Sequence, residues 1–341
     1  MKYLKYILLL LLIIVVGGAI YIATLNNSYN IKRTKLIKAP VQVVFDNIND
    51  YKNWPSWSPW IEQDTLTQLT YGNKTSGVGA SYTWKSDLIG EGNMETTEVI
   101  DNQSINQTIT FVKPWESTSD IYWNFKPTDD GTEVTWGMKG NLDFMEKAYM
   151  TFSGGMDKQI GVDYERGLAK LDSVIQVNMK KYTITVNGLT AHSGGYYLYN
   201  TTSCSIDDMQ SKMQELMPKV LAYIKKHNIP MAGAPFVLYL KYDTENNAVI
   251  FSCAAPVSDR VITDSQDIQT GILQPFNALK TTLKGNYTNL EEAWNTAMEY
   301  IDDKGLKEAE GKPYLEVYQT DPTNTPNPAD WITEIYIPIV E

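Results

Sequence analysis

The chain opens on an unbroken apolar stretch and then changes its hydrophobic period several times. In MKYLKYILLLLLIIVVGGAIYIATLNN, Lys2 and Lys5 precede an uncharged run from Tyr6 to Leu25, a length that suits one membrane-spanning helix. A cleaved signal peptide is the competing reading, but Tyr21 and Ala23 near the end of the run do not form a small-x-small cleavage site. A retained anchor over residues 1–28 is therefore expected. Next, YNIKRTKLIKAP reads as a strand ending at Pro40, and VQVVFDNINDYKNW spaces Val41, Val44, Phe45 and Ile48 at helical intervals. Short alternating runs follow (SYTWKS, GNMETTEVI, QTITFV, STSDIYWNFKP, TEVTWGMKG), with DDG between the last two as a hairpin turn. Residues 143–176 predict the longest helix of this part: Leu168, Leu171 and Ile175 form its stripe, and Gly154 and Gly155 break its start.

A strand, a short helix, a run of antiparallel strands and a long terminal helix describe a curved sheet gripping a helix. Within this pattern IKAPVQVVFDNINDYKNWPSWSPW resembles the opening of the polyketide cyclase/dehydrase and lipid-transport group of the START-like superfamily. The resemblance implies a helix-grip domain over residues 29–178 with an apolar cavity between sheet and helix, used in many members for lipids or other hydrophobic small molecules. Trp54, Trp57 and Trp60 are either cavity wall or plain core and lid, and aromatics beside a first helix are more often core. No acid, base and nucleophile set stands out in this segment, and a fold likeness alone supplies no reaction.

After Gln176 the polar VNMKK marks a boundary, and a second domain is expected over residues 179–341. YTITVNGLTAHSGGYYLY is strand-like. SIDDMQSKMQELMPKVLAYIKKHN then reads as a helix with Ser205 and two aspartates at its start, basic residues at its end and Pro218 inside. This part repeats itself. AYIKKHNIPMAGAPFVLYLKYD aligns with EYIDDKGLKEAEGKPYLEVYQTD, placing Pro235 on Pro313 and Asp243 on Asp321, and AVIFSCAAPV aligns with WITEIYIPIV, placing Pro256 on Pro338. The domain reads as two copies of strand, helix, strand, strand. In that alignment Glu316 falls on Leu238 and Glu334 on Ser252. A carboxylate in an apolar slot costs several kcal/mol unless compensated, and its pKa rises. Glu316 is thus the principal site candidate. Alternation puts Tyr314, Glu316 and Tyr318 on one face of their strand, and Ile332, Glu334 and Tyr336 on one face of the next.

The tail EVYQTDPTNTPNPADWITEIYIPI, together with the duplicated layout, resembles the GyrI-like family, the effector-binding module also found in some multidrug-responsive regulators. The resemblance implies two pseudo-symmetric halves, an aromatic-walled pocket between them, and a glutamate at the position of Glu316 that contacts cationic, lipophilic ligands or, in some members, serves hydrolysis of strained electrophiles. Tyr336, Trp294, Tyr197 and Tyr239 are the aromatic lining candidates beside Glu316, each singly as compatible with core packing. Glu334 is open between a pocket role and an exposed one. Regulators of this kind carry a DNA-binding segment ahead of the module; here a START-like domain and an anchor stand in its place.

Composition narrows the rest. The 341 residues suffice for two cores, and the formal charge of -11 opposes phosphate attraction, so no nucleic-acid partner is expected. Two cysteines, Cys204 and Cys253, and two histidines, His192 and His227, without a C-x-x-C motif, make neither a zinc site nor a redox motif, and no metal or cofactor is expected. One disulfide stays open, and both histidines are expected at the surface. A glycosidase reading of the two glutamates lacks any sign of a sugar cleft. The expectation is an α+β protein, with an N-terminal transmembrane helix, a helix-grip domain and a duplicated βαββ domain. It is expected to bind small lipophilic, in particular cationic, molecules. A hydrolase using Glu316 as general base is the alternative. Lys2 and Lys5 lie nearer the apolar run than Lys32, Arg33, Lys35 and Lys38, which favours soluble domains outside the cytoplasm.

Overall fold

The computed structural model describes residues 2–114 and 116–340, in two compact units, Met1–Val177 and Asn178–Glu341. The first unit begins with helix α1 (Lys2–Thr24), whose side chains from Tyr3 to Val16 are exposed almost without exception. It is long and apolar enough to cross a membrane or to act as a signal sequence. Strand β1 (Ser28–Ile37) follows, then α2 (Val41–Asn49), a 3-10 turn over Tyr51–Ser56 and the short α3 (Pro59–Gln63). Strands β2 (Gln68–Tyr71), β3 (Ser81–Ser86), β4 (Gly90–Ile100), β5 (Ser104–Lys113), β6 (Ser117–Thr128) and β7 (Gly131–Asn141) form with β1 an antiparallel sheet in the order β1-β7-β6-β5-β4-β3-β2.

The single helix expected over residues 143–176 is two: α4 (Phe144–Ser153) and α5 (Met156–Met179). They part at Gly154 and Gly155, both with φ near +90°, a conformation that glycine adopts without a Cβ clash. Helix α4 starts with a reciprocal cap between Asp143 and Glu146. Helix α5 lays Tyr164, Leu168, Leu171 and Ile175 onto the sheet at helical spacing. Gly167 lets it approach closely, since a Cβ there would lie 2.7 Å from the Trp136 ring.

The core beneath α5 is aromatic. Trp136 stacks between Trp123 and Tyr164, with ring centroids 4.4 and 3.9 Å away, and Trp54 and Trp57 meet Trp123 and Trp136 edge-on. One buried polar chain runs through it: the Trp123 indole donates to Gln107 Oε1, Gln107 Nε2 donates to the Tyr51 hydroxyl, and Tyr51 bonds Thr96; the Trp57 and Trp136 indole nitrogens are buried without a partner among the described residues. The three tryptophans after α2 divide. Trp54 and Trp57 are sealed in this core, whereas Trp60 lines a cavity.

The second unit comprises β8 (Thr183–His192), β9 (Gly195–Ser205), α6 (Met209–Lys226), β10 (Phe236–Asp243), β11 (Ala248–Val257), β12 (Gln269–Leu273), β13 (Phe276–Lys284), α7 (Leu290–Lys304), β14 (Tyr314–Tyr318) and β15 (Ile332–Pro338). Its antiparallel sheet runs β12-β9-β11-β10-β14-β15-β13-β8, so the halves β9-β11-β10 and β14-β15-β13 meet at the β10–β14 pair. The extra strand that precedes each βαββ copy joins the outer edge of the other: β8 pairs with β13, and β12 with β9. Helices α6 and α7 pack on one face, each over its own half. The fold is thus α+β with a duplicated βαββ unit, as the sequence repeat implies.

The pairing corrects the repeat alignment by one residue. Leu238 lies opposite Leu315, and both pack on the face away from the helices, whereas Glu316 lies opposite Val237 on the helix face. With Pro256 on Pro338, Cys253 corresponds to Ile335; these pair with Val237 and Glu316 respectively. The counterpart of Glu316 is therefore the fully buried Val237, not Leu238. Proline and aspartate positions at strand ends misled the alignment, because a one-residue slip exchanges the two faces of a strand. Cys204 and Cys253 are free thiols. His227 is exposed at the end of α6, as expected, but His192 is half-buried, stacked on Phe276 and edge-on to Tyr336.

Candidate functional site

Among the described residues each unit holds a place with the makings of a ligand site. In the first unit a cavity of about 940 Å³ opens between the sheet, α3, α4 and α5. Its floor is apolar, from Trp84, Met94, Ile109, Ile121, Trp136 and Met138, every one buried. Tyr164 closes the α5 side and Trp60 the α3 side. Tyr29 supplies a polar point, its hydroxyl 2.7 Å from Ser119 Oγ. A space of this size over an apolar floor, with polar residues such as Lys113, Asp143 and Gln159 elsewhere in its wall, has room for a molecule of many heavy atoms.

In the second unit Glu316, at the centre of the β10–β14–β15 region, is only 2 % exposed. Tyr239 Oη on β10 donates to its Oε2 at 3.1 Å and Trp294 Nε1 on α7 to the same oxygen at 2.9 Å; the Tyr318 hydroxyl donates to Oε1. Tyr287, in the turn before α7, packs edge-on against Tyr318 and at a tilt of 33° against the Trp331 ring. Among the described residues no cation forms an ion pair with Glu316. Burial raises its pKa above the ordinary value, opposed by the bonds from Tyr318, Trp294 and Tyr239. Burial, followed by the charge on Glu316, pushes the Tyr239 and Tyr318 hydroxyls well above the ordinary tyrosine range, so both stay donors. The same causes, with Asp321, push Tyr287 up to about 12.

The remaining candidates lie elsewhere. Glu334 is opposite Val317, and Tyr336 opposite Leu315, so both point to the sheet face away from Glu316. Tyr197 shares that face, edge-on to Phe236. There Glu334 pairs with Lys280 at 2.7 Å and accepts from Gln319 and Tyr336. Burial alone would raise its pKa, but Lys280, Tyr336 and Gln319 together hold it below the ordinary value. The structure thus brings Glu316, Tyr239 and Trp294 together and separates them from Glu334, Tyr336 and Tyr197. Tyr318 and Tyr287 are not among the candidates that sequence reasoning supplies. Tyr318 had a signal, being two residues from Glu316 on the same strand. Tyr287 had none, because only the turn ahead of α7 carries it to the cluster. Among the described residues no group of His, Cys, Asp and Glu is arranged to hold a metal.

Comparison with known proteins assigns both units. No curated protein matches the chain. Among solved structures, the EcmrR C-terminal domain is 18 % identical over 47 % of this chain and 98 % of its own, with a TM-score of 0.41. EcmrR in a complex with DNA is 19 % identical over 58 % of this chain and 72 % of its own, with a TM-score of 0.41. SAV2435 bound to tetraphenylphosphonium is 14 % identical over 47 % and 94 %, with a TM-score of 0.37. These likenesses are distant and carry no argument about the site. Residues 29–176 match the family model for polyketide cyclase/dehydrase and lipid transport, and residues 196–340 match that for the GyrI-like small molecule binding domain. The chain therefore carries a START-like domain of the polyketide cyclase and lipid-transport family followed by a GyrI-like small-molecule-binding domain.

Proposed function

We propose that this protein is a membrane-anchored receptor or scavenger with two small-molecule sites, an anchor over residues 1–28 and binding domains over 29–178 and 179–341. The START-like cavity takes an apolar guest, and the GyrI-like domain takes a lipophilic cation with Glu316 as counter-charge. The observation that carries this reading is Glu316 itself: a buried carboxylate ringed by Tyr239, Trp294 and Tyr318, with no cation paired to it among the described residues. Such a group is costly while charged and unpaired, and a cation offering its face to aromatic rings supplies both the missing charge and a favourable contact. Because Glu316 is already enclosed, the guest reaches it only when the rings swing aside. The acidic net charge argues against nucleic acid as a partner, and the lysines before the apolar run favour domains outside the cytoplasm.

Ethidium, a fluorescent lipophilic cation, tests the second site on the full chain in detergent. Glu316→Gln is expected to weaken binding tenfold or more, about 1.4 kcal/mol, and wild-type affinity should rise as pH passes upward through the Glu316 pKa. Equal affinity in the two proteins would remove Glu316 from the reading. The raised pKa also suits a general base. Turnover of epoxides by the wild type, lost in Glu316→Gln, would replace the receptor reading by a hydrolase.

A further inference from the structure

The end of α1 is not free. Lys147, on α4, is buried, and its ammonium donates to Asn27 Oδ1 at 2.8 Å, to the Leu25 carbonyl at 3.2 Å and to the Ala23 carbonyl at 3.4 Å. It thereby caps the C-terminal end of α1, where a cation complements the helix dipole and fills orphan carbonyls. This clasp holds α4 within about a turn of the last apolar residue of the span. Elsewhere on α4, four large apolar side chains face outward: Phe144 is 44 % exposed, Met145 71 %, Tyr149 51 % and Phe152 86 %. Their spacing places them along one side of the helix. Met145 and Tyr149 also line the START-like cavity, whose floor residues are buried, and so mark an opening of it.

We infer that α4 lies on the bilayer that α1 crosses, its apolar side sunk among the lipid headgroups and upper chains, and that the START-like cavity opens toward lipid at this helix. The occupant of the exposed face is the bilayer, because the face is continuous with the span through the Lys147 clasp and because a helix with one apolar side suits an interfacial position. The guest that this arrangement serves is one that resides in the membrane. The inference rests on the anchor reading of α1 given above.

Depth-dependent quenching separates the two. In a Cys204→Ser background, an environment-sensitive fluorophore is placed on Leu10→Cys in α1, on Phe152→Cys and Met145→Cys in α4, and on Leu88→Cys, which is 69 % exposed in the same unit. The full chain is reconstituted in phosphatidylcholine vesicles with and without dibrominated lipid. Brominated lipid is expected to quench positions 10, 152 and 145 at least twofold and to leave position 88 unchanged. Quenching at 10 without quenching at 152 and 145 overturns the inference and spares the anchor. Quenching nowhere removes both. Quenching at 88 as strongly as at 152 means general adhesion of the unit and also overturns it. A blue-shifted but unquenched fluorophore at 152 means that protein covers α4, and this too overturns the inference.

Discussion

Beneath α5 about 940 Å³ of space is held open by rings that stack on one another, whereas at Glu316 the rings turn their donors inward and fill the space themselves. Both regions are walled by aromatics, yet they differ in what satisfies those aromatics. In the first unit the Trp136 ring is sandwiched between Trp123 and Tyr164, and these contacts are made with no guest present. In the second, Tyr239, Trp294 and Tyr318 all bond one carboxylate, and the proposed guest would have to displace some of those bonds to reach it. An open apolar space selects by size and shape. A closed polar cluster selects by charge, because only a compensating cation offsets the bonds it breaks.

The largest expected effect is on the open side. Trp136→Ala removes the centre of the stack, and its cost should be about 3–5 kcal/mol, read as a fall in the denaturant midpoint of the first unit. A loss under about 1 kcal/mol would mean that the stack is not what holds the space open.

The closed side should respond to pH in the opposite sense from an ion-paired carboxylate such as Glu334, whose partners hold its pKa down. Below the ordinary carboxylate value of 4.5 Glu316 is protonated both folded and unfolded. As pH rises from there to the raised folded pKa, the unfolded chain releases its proton first, and stability falls by up to about 1.4 kcal/mol per pH unit. Above the folded pKa the loss levels off. Comparing thermal midpoints of wild type and Glu316→Gln across this interval isolates the effect, and parallel curves would show that Glu316 is not perturbed.

Met138→Trp places bulk in the cavity without touching Glu316. It should lower affinity for an apolar probe such as anilinonaphthalene sulfonate about tenfold, some 1.4 kcal/mol, and leave ethidium binding unchanged; a parallel loss of both would show that one site serves both probes. The smallest effect belongs to the bridge on the far face. Lys280→Ala removes a partly exposed pair with Glu334 and should cost about 0.5–1 kcal/mol without altering ethidium binding; a large change in that binding would move the site to the other side of the sheet.

Much of this was readable from residue order, because it depends on local period and composition. The uncharged run that starts at Tyr6 is helical as far as Thr24. Leu168, Leu171 and Ile175 mark a stripe whatever lies beneath them, and the duplicated strands announce themselves through their prolines. Glu316 stood out because an acid was set among residues suited to burial. Its surroundings were less legible. Tyr336 and Glu334 are close to it in sequence and opposite to it in space, since β-pairing and not proximity along the chain decides which side chains share a face. Tyr287 reaches the cluster from a turn, and Trp294 from a helix that ends ten residues before the strand of Glu316 and packs on the preceding strand β13 and on β8. The sequence by itself determined the element types, the repeat and the anomalous carboxylate, all of which are set by periods of a few residues. Tertiary structure alone decided that the carboxylate is closed over while the cavity stands open, because that outcome depends on strand register and on whether aromatic rings meet each other or meet a charge.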